Sequence, residues 1–103
     1  MEKAGDIARE ALSQMMPTAR RAEVRACMAW PDAVGSEIAA QTRPMHMRQG
    51  AMTVAASNAA WATELGYLAE ELKEQLNAAL GTEAVKSLRF VVRPQAAGPE
   101  ERE

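Results

Sequence analysis

The chain has 103 residues, enough for one domain with one core, because a second domain would be too small to bury an interior of its own. Its composition is 48% hydrophobic and 25% charged with a formal net charge of -2, as in an ordinary soluble globular protein, so no chain-wide charge field selects a partner. The lone Cys27 excludes an internal disulfide, no run reaches the roughly 18 apolar residues of a membrane span, and the opening MEKAGDIARE lacks the apolar core of a signal peptide, so a cytoplasmic protein without a membrane partner is expected.

In chain order, Ile7, Ala11, Leu12 and Met15 recur at helical spacing until Pro17, which predicts an N-terminal helix within residues 1–16. Thr18 is placed to cap a second helix with Ala22, Val24, Cys27 and Met28 on its apolar side, ending at the Trp30-Pro31 step. Asp32 is placed to cap a short third helical turn carrying Val34 and Ile38. From Pro44 the period changes to two. Met45 and Met47 alternate with His46 and Arg48, and Met52, Val54 and Ala56 alternate with Ala51, Thr53 and Ala55, so the pattern predicts a β-hairpin turning at Gln49-Gly50.

Ser57 or Asn58 then caps a long helix whose apolar stripe is Trp61, Leu65, Leu68, Leu72, Leu76 and Leu80. Gly81 closes it, and Gly66 is a point at which it can divide. Leu88, Phe90 and Val92 alternate with Arg89, Val91 and Arg93 in a third strand that Pro94 ends. The resulting fold class is α+β, a two-layer domain over residues 17–93 in which helices cover one face of a three-stranded sheet; residues 94–103 read as a disordered acidic tail.

The residue types argue against catalysis. One histidine and one cysteine cannot build a four-ligand zinc site, and there is no serine elbow, Walker loop or GxGxxG, so neither metal nor cofactor is expected and the chain reads as non-enzymatic. Residues 17–93 hold nine Lys or Arg against eight Asp or Glu, whereas the end from Pro94 carries Arg102 against three glutamates. Alternation gathers His46, Arg48, Thr53, Arg89, Val91 and Arg93 on the outer sheet face, a small basic patch suited to nucleic-acid phosphates or simply a solvated strand face. Arg20, Arg21 and Arg25 form a second basic spot. Trp61, at the head of the apolar stripe, reads first as a core anchor whose loss would cost on the order of 3 kcal/mol. Trp30 reads equally as a plug of the core or as an exposed anchor for a partner.

Trp30, Val34-Gly35, Ile38, Thr42-Arg43-Pro44, Gly50 with MTVAAS, WATEL from Trp61, Leu68, Leu76-Asn77 and VKSLRF resemble, in their order and spacing, the DciA family, formerly a domain of unknown function. The resemblance runs from about Ala19 to Val92. It implies a KH-like fold and a bacterial role in replication, with binding of the replicative helicase DnaB and help in placing it on DNA; Trp30 and Trp61 are then the candidate helicase contacts. Two features depart from the pattern. Members typically carry a long basic extension used in DNA contact, whereas the acidic QAAGPEERE follows Pro94 here, and the GXXG clamp of RNA-binding KH modules is missing.

Overall fold

A computed structural model describes residues 17–96. The predicted N-terminal helix and the last seven residues lie outside that range. Helix α1 spans Thr18–Val34, and Ala26 and Trp30 are its buried positions. It does not stop at Trp30-Pro31 as the sequence suggests. Pro31 stands in the last turn, where its missing N–H removes only one ladder bond, and the Pro31 carbonyl still accepts from Gly35 N at 3.0 Å. Asp32 consequently lies inside α1 rather than capping the next helix, and the flanking residue of α1 is Pro17, with Thr18 as its first helical position. Gly35, at φ 96° and ψ 159°, makes the break before helix α2, Ser36–Ala40.

Strands β1, Thr42–Arg48, and β2, Ala51–Ala56, pair antiparallel. The Gln49-Gly50 connection has φ of 52° and 86°, the double left-handed geometry that matches the twist of a two-residue hairpin. Gly50 is also close-packed. A Cβ there would lie 2.6 Å from Lys86 Cγ, and its carbonyl accepts from Lys86 N at 2.8 Å and Ser87 N at 3.2 Å, which ties the hairpin to strand β3, Ser87–Val92.

Strand β3 pairs with β2 in parallel, giving the sheet order β1-β2-β3. Parallel pairing demands a crossover, supplied by helices α3, Ala59–Tyr67, and α4, Ala69–Leu80. Asn58 caps α3 by accepting from Trp61 N at 2.9 Å. The predicted long helix divides at Leu68, two residues after Gly66, so its stripe is interrupted: Leu65, Leu72 and Leu76 are buried while Leu68 stands 40% exposed. At the other end, Gly81 adopts φ 73°, with Gly81 N bonding Ala78 O and Thr82 N bonding Asn77 O, a Schellman closure. The buried Asn77 side chain donates to Val85 O at 2.9 Å and accepts from Val85 N at 3.0 Å, holding the loop into β3 as a strand partner would.

The core joins Ala26 and Trp30 of α1, Met52 and Val54 of β2, Leu76 of α4, and Val85, with Met47, Leu88 and Phe90 packed around them. This is the expected α+β arrangement, with helices against one face of a three-stranded sheet, and its element order agrees with the KH-like fold implied by the resemblance.

Candidate partner and nucleic-acid surfaces

The outer sheet face owes its make-up to one irregularity. Pro44 pairs with Val54 and His46 with Thr53, leaving Met45 unpaired in a β-bulge. The extra residue reverses side-chain parity along β1. Arg43, opposite Ala55, therefore points to the same side as His46 and Arg48, and Met45 is 42% exposed instead of joining Met47 in the core. Regular alternation had assigned Met45 inward and left Arg43 off the basic face. Pro44 was the available signal, since proline within a strand marks an edge or a bulge.

The register builds three rows across the sheet, Arg48-Ala51-Ser87, His46-Thr53-Arg89 and Arg43-Ala55-Val91, with Arg93 just beyond β3. No Asp or Glu occurs in any of the three strands. Both ion pairs of the described residues, Arg20–Glu23 and Lys73–Glu70, lie on helices, so Arg43, Arg48, Arg89 and Arg93 have no carboxylate partner among the described residues. His46 is partly buried rather than fully solvated, and its Nδ1 is enclosed without a hydrogen-bond partner. Beyond β3, Pro94–Ala96, which the sequence placed in a disordered tail, form a single 3-10 turn, and this turn packs on β2. Arg43, Met45, Ala55, Arg93, Gln95 and Ala96 surround a shallow cleft of about 250 Å³ there.

Each arginine of the second basic spot makes a contact at the surface of the helices. Arg20 pairs with Glu23 at 3.3 Å, Arg21 reaches the Thr18 hydroxyl at 3.4 Å, and Arg25 donates to Leu80 O at 3.3 Å, where a cation suits the carbonyl end of α4. Glu23 in turn accepts from Met47 N at 2.9 Å, fastening α1 to the edge of the sheet. Cys27 sits beside this contact, and its thiol pKa is raised, mainly by burial and then by the Glu23 charge, with Arg20 opposing.

The two tryptophans occupy different environments. Trp30 is 1% exposed, its Nε1 donates to Thr42 Oγ1 at 2.9 Å, and Thr42 Oγ1 donates onward to Ile38 O at 2.8 Å. Its ring lies 6.3 Å from Phe90 at 51°. Trp30 is thus a core residue and is not presented as a contact surface. Trp61 is only partly buried and stands outside the core cluster; Leu65, one turn later, is the buried residue of α3. Tyr67, 82% exposed, and Leu68 mark the break between α3 and α4. Among the described residues no three His, Cys, Asp or Glu side chains gather to hold a metal ion, and no helix is long and apolar enough to cross a membrane.

These features define a small α+β domain of KH-like element order with one cationic sheet face and an exposed apolar helix break. The sequence profile of the family described as Dna[CI] antecedent, DciA, matches residues 3–90, and the chain belongs to this family. It is 40% identical over 61 residues to a UPF0232 protein of Rhodococcus jostii, covering 59% of this chain and 32% of that protein. It is 34% identical over 86 residues to UPF0232 proteins of Mycobacterium tuberculosis and Mycobacterium bovis, covering 84% of this chain and 46% of theirs. The chain thus spans about a third to a half of the length of these relatives.

Proposed function

We propose that this domain is a non-enzymatic adaptor that binds the replicative helicase DnaB by protein contact and assists its loading on DNA in the bacterial cytoplasm. Family membership across residues 3–90 carries the proposal. The partly buried Trp61 and the exposed Tyr67 support it, because tryptophan and tyrosine are enriched among the anchors of protein interfaces. The test is retention of the purified protein on immobilised DnaB. Wild type is expected to be retained and Trp61→Ala to lose retention while staying folded, with a melting temperature lower by only about 4–8 °C; no retention of wild type overturns the adaptor reading.

A second reading has its own observation. The bulge at Met45 brings Arg43 onto the face that already carries His46, Arg48 and Arg89, with Arg93 just beyond β3, and the strands contain no acid, which favours contact with nucleic-acid phosphates. Arg48→Glu combined with Arg89→Glu should abolish oligonucleotide binding without unfolding the domain. Binding insensitive to salt would count against this reading.

A further inference from the structure

We propose that the cleft between Arg43 and Arg93 is a single-nucleotide subsite, which makes the sheet face selective for single-stranded nucleic acid: one base sits on Met45, and its flanking phosphates lie on the two guanidinium groups. This rests on the nucleic-acid reading of the sheet face and adds to it a place for a base and a preference between strand forms.

The cleft is made by two local events. The bulge turns Arg43 outward and lifts the Met45 thioether out of the core, while the turn after β3 lays Ala96 over the outer side of Ala55. Both alanines are nearly inaccessible, at 3% and 2% exposure, so they back the floor, and the apolar surface open to a base is chiefly that of Met45, itself 42% exposed. Arg43 and Arg93 flank that floor, and the Gln95 amide completes the rim.

Each part has a counterpart in a nucleotide. A guanidinium offers a planar fork of donors that matches phosphate oxygens, and its face stacks on a base. An apolar floor with a polarizable thioether receives the flat face of a base, and a primary amide carries the donor and acceptor that complement a base edge. The shape selects the strand form. A cleft of about 250 Å³ admits a base only if that base is unstacked, which a single strand allows and a duplex permits only after flipping. Because the sheet face has no aromatic platform, the cleft is where a base contact is available, and Arg89 and Arg48 continue the phosphate track across the neighbouring rows.

The test is fluorescence anisotropy of the whole chain with three probes at low and moderate salt: a labelled oligo-dT, a duplex of equal length, and an oligomer of equal length made of abasic sites. The single strand is expected to bind about tenfold tighter than the other two, which corresponds to about 1.4 kcal/mol. Its log–log salt slope is expected near -3, from four arginines at about 0.7 each. Met45→Ala, which removes the apolar contact at the unpaired bulge position, should bring single-strand affinity down to that of the duplex, whereas Arg48→Ala, outside the cleft, should weaken all three probes alike. Equal affinity for the dT and abasic oligomers overturns the subsite and needs no variant to fold; if Arg48→Glu with Arg89→Glu still abolishes that binding, the sheet-face reading stands without it. An oligoglutamate peptide competing as well as oligo-dT would show a general polyanion surface and overturn the inference. No binding of any probe at low salt overturns both.

Discussion

The two faces of the sheet come from the same three strands, yet one is the core and the other is charged. Met47, Met52, Val54, Leu88 and Phe90 face the helices, and Arg43, His46, Arg48 and Arg89 face away. Strand alternation accounts for most of this division. The bulge accounts for the rest: one extra residue in β1 brings Arg43 to the outer face and leaves Met45 exposed beside it. The inner face therefore governs stability through packing, where substitutions cost kilocalories, and the outer face should govern binding at little cost to the fold.

The contrast is broken most severely at Trp30. Trp30→Ala should remove about 3–5 kcal/mol of stability in a denaturant titration, because it opens a cavity and leaves the Thr42 hydroxyl without its donor. An unchanged unfolding midpoint would mean that Trp30 does not anchor the inner face. Asn77→Ala comes next. It strips both partners from the Val85 peptide group and should cost about 1–3 kcal/mol, with faster amide exchange at Val85 as the local signature.

Trp61→Ala should cost about 1 kcal/mol, well below the 3 kcal/mol expected from its position in the apolar stripe, because the ring is only partly removed from water. A loss as large as that of Trp30→Ala would erase the difference between the two tryptophans. On the outer face, Arg48→Glu and Arg89→Glu should each shift stability by no more than about 0.5 kcal/mol, since neither arginine has a carboxylate partner to lose among the described residues. A larger destabilisation would mean that the basic face also holds the fold together.

The smallest effect is one of pH. The Cys27 thiol has a raised pKa in the folded state, so the unfolded chain gives up that proton first. Stability should be unaffected below the ordinary thiol range and fall slightly as pH rises through it. The urea midpoint of wild type minus that of Cys27→Ala, followed with pH, measures the effect, and an increase of that difference with pH would reverse the sign.

The sequence was sufficient wherever a local rule acts alone. The hairpin turn at Gln49-Gly50, a helix cap at Ser57 or Asn58 and the Gly81 closure follow from backbone preferences of those residues, and the three strands follow from their period of two. Family membership was equally legible, because the order and spacing of the shared residues are properties of the chain. The apolar stripe from Trp61 to Leu80 was less reliable, since periodicity gives the side on which a residue lies but not whether a neighbour covers it.

Tertiary structure decided the remainder. It carried α1 through Pro31, exposed Leu68 at the helix break, buried Trp30 and left Trp61 at the margin. It also tied Arg20, Arg21 and Arg25 into contacts around α1 while leaving the sheet arginines without carboxylate partners among the described residues. Above all, it set the bulge at Met45, because the pairing register is fixed by fitting β1 simultaneously to β2 and to the Glu23 contact from α1, a requirement that joins residues far apart in the chain.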